Sequence, residues 1–364
     1  MTTIKTAGRR FVHSQLMIPV IALLALVLFN LFRGLAINDF SFFTISLVVN
    51  NIGNTVLSGN IIAIINNASE VAILAIGMTL VTACSKGQDI SVGSTSAVAG
   101  AVFVSILLSN PMSLGIIIFA FLAATLVAIL CHSFTGTLVA VFNIQPMIAS
   151  LILFTTGRSI AYWINGGATP VVPADHSALW LGQFIPGSPV HTPIYLVIIC
   201  AIVIFLVLKF TNLRLYIQSV GINQTAARLN GINPVRMKLL SFMILGVCVA
   251  VASVIAVGRI SRVNHDNINL GIEMDTILAV AIGGNALGGG KFSISGSILG
   301  AYIIQALTTT LLAMRVPSTD IQAYKAIVII IIVVVASPVV KSGAVKLWGK
   351  LFGKKAAPVS NDAS

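Results

Sequence analysis

Gly221–Gly231 reads GINQTAARLNG and separates two long apolar runs of the sequence. Asn223 favours an N-cap, and Gly231 stands where a C′ glycine ends a helix. Asn233-Pro234 then predicts a second N-cap followed by proline at the first position of the next helix. The pattern therefore predicts a short, separately capped polar helix between two membrane spans. We interpret such a helix as a docking element.

The composition around this stretch excludes a soluble domain. Hydrophobic residues make up 57% of the chain, charged residues only 8%, and the mean hydropathy is +1.03. Runs of about 20 apolar residues recur, as helices that cross a bilayer require. We expect an all-α polytopic membrane protein with about ten transmembrane helices. The predicted spans are Leu16–Phe32, Ile61–Ala83, Ser91–Leu108, Leu114–Cys131, Met147–Trp163, Ile194–Leu208, Leu239–Val257, Thr276–Gly290, Ser297–Met314 and Ile321–Val335.

The net charge of +12 follows the membrane topology. Basic residues cluster before the first span, around Gly221–Gly231 and after the last span, as the positive-inside rule expects. We therefore predict a cytoplasmic N-terminal tail (1–15), a transmembrane domain (16–340) and a basic cytoplasmic tail (341–364). Membrane lipid, and not nucleic acid, is the partner that this distribution indicates. The clusters comprise Lys5, Arg9, Arg10, Lys209, Arg214, Arg228, Arg236, Lys238, Lys341, Lys346, Lys350, Lys354 and Lys355.

Catalytic and cofactor chemistry has little support in the sequence. The four cysteines lack CxxC spacing, and the five histidines are scattered without metal-ligand spacing. Gly284–Phe292 fails the phosphate-loop pattern, because Asn285 replaces a required glycine and Phe292 a required Ser or Thr. We therefore predict no metal, no cofactor and no catalytic residue in this chain, and expect any driving energy to enter from another subunit.

Two polar groups near span ends are candidates for a translocation path or gate. The first is the turn that carries Gln88 and Asp89, with Ser91 and Ser94 after it; the alternative is an interfacial turn in which Asp89 caps the next helix. The second is Asn66 and Glu70. These two side chains either line an external vestibule or belong to a solvated helix start, where the helix dipole favours Glu70.

Three arginines lie in loops that the predicted topology places outside the cell. Arg259, Arg262 and Arg315 depart there from the positive-inside trend. They are either tolerated loop charges or contacts for an acidic external protein, since arginine forms bidentate pairs with carboxylates.

Three motifs resemble ABC importer permeases for monosaccharides, of the ribose, xylose and galactose type. Ala75–Ser94 is similar to that family's "GMTLV…GIDLSVGS", Val220–Asn233 to its "GGNxxAARLSGIN", and Ile282–Gly300 to its "LGGTSLAGGxGxxxGTxxGA". The resemblance covers roughly residues 61–340. Gln88 departs from it where the family usually has an apolar residue, and Asn230 replaces the usual serine. The residues around Asn51–Asn60 resemble the branch that includes galactofuranose permeases.

The resemblance implies a multi-pass protein of the bacterial inner membrane with both termini cytoplasmic. It implies a dimer of permeases, fed by a periplasmic or lipoprotein sugar-binding protein and driven by cytoplasmic ABC ATPases that bind the ATP and Mg. Gly221–Gly231 would be the coupling helix that docks on the ATPase. The rival interpretations are an ion-gradient-driven secondary transporter and a non-transporting membrane scaffold. The predicted coupling residues are Gly221, Asn223, Ala226, Ala227, Arg228, Leu229 and Gly231.

Overall fold

The computed structural model describes residues 17–38, 40–49 and 55–336. The predicted tails 1–15 and 341–364, with their basic clusters, lie outside the described residues, as do Leu16 at the predicted start of the first span and Asn51–Asn54 of the segment Asn51–Asn60. The described part contains twelve α-helices, one 3-10 helix and one two-stranded hairpin. The predicted all-α class is therefore confirmed, and eight of these helices are long and apolar enough to cross a membrane.

The helices are numbered here in chain order. They are α1 (Met17–Ile37), α2 (Asn60–Ser85), α3 (Val92–Ser109), α4 (Leu114–Ala140), α5 (Pro146–Ile164), α6 (Thr192–Phe210), α7 (Leu213–Ile222), α8 (Gln224–Leu229), α9 (Pro234–Ile260), α10 (Ile272–Ile282), α11 (Ile294–Ala313) and α12 (Ile321–Ala336).

Helices α2, α3 and α9 form the interior of the bundle, whereas α1 and α6 are mostly exposed. Small residues allow the inner helices to approach closely, as is usual where lipid removes the hydrophobic drive between helices. At Gly246 of α9, an added Cβ would lie 2.8 Å from the Cα of Ile129 in α4. A larger residue there would push the two helices apart.

Helix α10 is too short to span a bilayer. Its 11 residues extend about 16 Å, roughly half of the hydrocarbon thickness. The prediction for this region was a span at Thr276–Gly290, whereas the observed helix begins earlier, at Ile272, and ends sooner, at Ile282. It ends there because Gly283 and Gly284 follow directly. Gly284, Gly289 and Gly290 have positive φ, which glycine adopts readily. The prediction that the glycine-rich segments include short or broken helices is confirmed.

On the side of the bundle opposite α8, the segment before α2 and the loop after α9 both form backbone hydrogen bonds. The strands β1 (Ser46–Val49) and β2 (Thr55–Ser58) pair antiparallel, a hairpin that was not predicted. In the proline-rich segment between α5 and α6, the helical element is the 3-10 helix Ser177–Leu181. Val172 N donates to the carbonyl oxygen of Ser261, so this segment is fixed against the loop after α9.

Candidate functional site

The predicted short polar helix is present as α8. The Asn223 side chain accepts hydrogen bonds from Thr225 N at 3.0 Å and Ala226 N at 3.1 Å, which satisfies two of the free amides of the first turn. Gly231 follows the helix with φ +78°. Asn233 caps α9 in the same way, with Pro234 at its first turn. Both predicted caps are confirmed.

Helices α7 and α8 form a helical hairpin whose inner side contacts the bundle through backbone atoms. Gly221 lies near the end of α7 and does not open α8. A Cβ on Gly221 would overlap the carbonyl oxygen of Ala83 near the end of α2. That oxygen also accepts a hydrogen bond from Gly290 N at 2.9 Å. The hairpin α7–α8 is thus held directly against α2 and against the glycine turn that precedes α11.

The predicted coupling residues divide between two faces. Ala227 is 3% exposed and belongs to a small apolar cluster with Leu80, Ile217 and Phe292. Leu229 is 85% exposed, a high value for a leucine. Ala226 and Arg228 are also exposed. Gly221 and Ala227 therefore pack against the bundle, while Ala226, Arg228 and Leu229 form a mixed basic and apolar surface that faces away from it.

Asp89 is fully buried inside the bundle. Its Oδ1 accepts hydrogen bonds from Ser91 N at 2.7 Å and Ser91 Oγ at 2.6 Å. Its Oδ2 lies 3.0 Å from Nδ1 of His132 in α4. The Asp89 amide also contacts the sulfur of Met78, about two turns before the end of α2. The carboxylate of Asp89 is therefore shielded from water and belongs to a polar cluster within the helix bundle.

His132 completes this cluster and was missed by sequence reasoning. Its Nε2 lies 3.1 Å from Thr95 Oγ1, and Thr95 Oγ1 in turn donates to the Ser91 carbonyl oxygen at 2.8 Å. Both ring nitrogens of His132 therefore have a hydrogen-bond partner, Asp89 on one side and Thr95 on the other. The available signal was a histidine within a long apolar helix, where a buried polar group requires a partner.

Ser94 and Gln88 lie at the edges of the same region. Ser94 Oγ is 2.9 Å from the Ser91 carbonyl oxygen and 2.8 Å from that of Leu153 in α5. Gln88 is 7% exposed. The segment 88–94 thus lies between α2, α4 and α5, and its predicted role as a path or gate stays a prediction.

Asn285, which breaks the phosphate-loop pattern, has a structural function instead. Its Nδ2 donates to Ser297 Oγ at 2.8 Å, and its Oδ1 accepts from Ser293 N at 2.6 Å. Ser297 Oγ is also 2.6 Å from Thr79 Oγ1. These bonds close the glycine turn and connect the start of α11 to α2.

At the opposite end of α2, two predicted groups come together. Arg259 Nη1 lies 3.0 Å from Glu70 Oε1, and Arg259 Nη2 donates to the carbonyl oxygen of Asn66 at 3.2 Å. Glu70 is 6% exposed and Asn66 is 8% exposed, so neither belongs to a solvated helix start. Burial lowers the pKa of neighbouring His191 below its usual value, and the charge of Arg259 lowers it further.

The other two arginines of the predicted docking set stay at the surface. Arg262 is exposed and pairs through its backbone with Val171. Arg315 is exposed, has φ +57° and lines a cleft of about 500 Å³ with Arg33. Arg259 is therefore mainly occupied by Glu70, and Arg262 is better placed than Arg259 to meet another protein.

Comparison with known proteins places these features in a family. Residues 60–337 match the family described as branched-chain amino acid transport system / permease component. The chain is 37% identical to the galactofuranose transporter permease protein YtfT of Escherichia coli K12, over 77% of this chain and 80% of the relative. It is 33% identical to the ribose import permease protein RbsC of the same strain, over 92% and 98% of the two chains. It is 36% identical to the fructose import permease protein FruF of Bifidobacterium longum, over 78% of each chain. No solved structure gives a significant match.

Proposed function

The chain belongs to the family of branched-chain amino acid transport system permease components, and from this membership we propose that it is the membrane subunit of an ATP-binding-cassette importer for a monosaccharide. Relatives that import galactofuranose, ribose and fructose support a sugar as substrate. The chain is a multi-pass protein of the inner membrane. It performs no covalent chemistry, and a separate ATPase binds the ATP and Mg.

The observation that carries this proposal is the geometry of α8. It is a capped helix that exposes Arg228 and Leu229, while the neighbouring Gly221 contacts the backbone of α2. A partner that pulled or pushed on α8 would therefore move α2 and the glycine turn before α11 with it. In this proposal α8 is the coupling helix, and closure of two ATPase subunits tilts the spans to alternate access to the substrate.

The distribution of charges supports one orientation of the chain. Seven basic residues lie on the α8 side of the bundle: Lys86, Lys209, Arg214, Arg228, Arg236, Lys238 and Lys291. An excess of Lys and Arg marks cytoplasmic loops. We therefore place α8 and both termini in the cytoplasm, and the loops that carry Arg262 and Arg315 outside.

Three partners complete the proposed transporter. The cytoplasmic ABC ATPase docks on α8, and a second permease, identical or related, completes the pathway. An external sugar-binding protein delivers the substrate and contacts Arg262 and Arg315. For the translocation path or gate we retain the residues predicted from the sequence: Asn66, Glu70, Gln88, Asp89, Ser91 and Ser94.

Reconstitution in liposomes tests this function. We expect uptake of labelled ribose, fructose or galactose to require ATP, the ATPase and the binding protein together. The variant R228E/L229D should abolish ATPase binding and therefore uptake. The control variant R262Q, on the opposite face, should leave ATPase binding intact. Uptake by the chain without an ATPase would refute the proposal.

The buried pair of Asp89 and His132 would also suit a secondary transporter, in which ionisable groups inside the membrane carry protons. The same liposomes distinguish the two functions. Uptake that an ionophore abolishes, and that continues without ATP, would favour the secondary transporter.

A further inference from the structure

A groove between the end of α6 and the start of α11 has an apolar wall and a basic rim. The groove measures about 540 Å³. Its wall includes Ile202 and Phe205, which are 52% and 61% exposed, together with Ile298. Its rim carries Lys209 and Arg214. We propose that this groove binds one anionic phospholipid of the inner leaflet, with its phosphate between Lys209 and Arg214 and an acyl chain along the wall.

The two basic side chains lack a protein counter-charge in the described part of the chain. Lys209 Nζ lies 5.8 Å from the centroid of the Phe210 ring, and Arg214 Cζ lies 6.0 Å from that of Phe292. The ion pairs of the described residues involve neither of them. Aromatic rings contribute to holding a cation, but they do not neutralise its charge.

Apart from the buried Asp89, the described carboxylates lie far from the α8 side of the bundle, where Lys209 and Arg214 are found. The sequence has only nine acidic residues. Among those that the structure describes, Asp89 is buried against His132, and the others lie toward the opposite face: Glu70, Asp175, Asp266, Glu273, Asp275 and Asp320. None of the described carboxylates therefore neutralises Lys209 or Arg214, and we assign their anion to another molecule.

The position of Lys209 and the apolar lining of the groove favour a lipid over a soluble anion. Lys209 is in the last turn of α6, where the side chain of a basic residue reaches the headgroup level. The apolar wall extends from that point into the hydrocarbon region. Basic pockets between transmembrane helices on the cytoplasmic side are suited to anionic headgroups. A free phosphate would leave the wall of Ile202, Phe205 and Ile298 without a ligand.

The proposed lipid site rests on the proposed orientation of the chain, and Phe292 connects it to the coupling helix α8. Phe292 lines the groove and is 3% exposed. It belongs to the same apolar cluster as Ala227 of α8. A lipid in the groove would therefore support the packing beneath the coupling helix, and we expect ATPase stimulation by substrate to depend on anionic lipid.

Native mass spectrometry of the purified permease, without ATPase, tests the site directly. The protein is exchanged into detergent with phosphatidylglycerol, with phosphatidylcholine of the same chains, or with glycerol phosphate. We expect one tightly retained phosphatidylglycerol and weak binding of the other two. K209Q/R214Q should lower the affinity about 30-fold, since each basic residue near the surface is worth about fivefold.

The matched control K291Q/R236Q removes the same charge from the same face outside the groove, and we expect it to retain the lipid. I202W leaves both charges and fills the wall, so we expect it to weaken binding as well. Equal retention by K209Q/R214Q and the wild type would overturn the site. So would equal binding of glycerol phosphate, or a disulfide between two copies of an Ile202→Cys variant. Because retention is measured without transport, this result is independent of the importer function.

Discussion

Asp89 Oδ2 lies 3.0 Å from Nδ1 of His132, and both side chains are completely buried. The two residues belong to separate segments, the turn after α2 and the C-terminal half of α4. The pair therefore joins three neighbouring helices, since the same turn continues into α3. A buried pair of this kind is costly to break, because removal of one member leaves the other without a partner.

We predict that D89A destabilises the purified permease by about 3–5 kcal/mol, the usual range for breaking a buried pair. Thermal unfolding in detergent measures the effect. The control is a double-mutant cycle with H132A, in which the double variant should cost less than the sum of the single variants. Additive losses would show that the two side chains are not coupled.

A second prediction separates Arg259 from Arg262. R259A should lower the melting temperature, because it leaves Glu70 buried without a counter-charge. R262A should change stability by less than about 0.5 kcal/mol, as expected for an exposed side chain, and should weaken the affinity of the binding protein. Titration of the binding protein onto the reconstituted permease measures the second effect. A stable R259A protein with reduced partner affinity would contradict this division.

The N-cap of α8 gives a third prediction. N223A should destabilise the first turn by about 1 kcal/mol and reduce substrate-stimulated ATPase activity of the assembled complex. N223D and N223S retain a side-chain oxygen and should restore most of that activity. If all three variants behave alike, the cap has no part in coupling.

Gly221 provides the fourth prediction. G221A should disrupt the contact of α7 with Ala83, because the new methyl group would overlap a backbone oxygen that cannot retract easily. We expect loss of coupled transport, with a lowered melting temperature. The control is G288A, in the same region, since a Cβ there meets nothing within 4 Å. Unchanged transport by G221A would show that α7 can move away from α2 without consequence.

The two faces of α8 give the fifth prediction. L229D changes an exposed side chain and should abolish co-purification of the ATPase while the melting temperature stays within about 1 °C of wild type. A227D places a carboxylate in the cluster around Phe292 and should destabilise the permease itself, because a buried charge lacks a partner there. Equal ATPase binding by L229D and wild type would exclude this face as the docking surface.

The fold class and the helix caps were predictable because both depend on local sequence. Runs of apolar residues must form helices in lipid, and Asn223 and Asn233 act on amides two and three residues away. The length of α10 was less accessible. Gly283 and Gly284 end that helix, but hydropathy continues past them through Ala286 and Leu287, so the predicted span extended to Gly290.

The polar pairs were not predictable from one sequence. Asp89 and His132 are 43 residues apart, and Glu70 is still further from Arg259. Neither distance corresponds to a helical or strand spacing, so each pair depends on how the spans pack. Sequence reasoning found Asp89, Glu70 and Arg259 as notable charges and assigned Glu70 and Arg259 to different groups, whereas the structure gives each a specific partner.

The contact of Gly221 with Ala83 and Gly290 involves main-chain atoms, whereas the outward face of α8 consists of side chains. In the proposed importer, the mechanical link to α2 and the choice of ATPase therefore depend on different residues. Under this proposal, substitutions at Arg228 or Leu229 adapt the permease to a different ATPase without altering the contact with α2. Related transporters could thus exchange ATPase subunits through a few surface substitutions, while the backbone contacts between α7 and α2 stay unchanged.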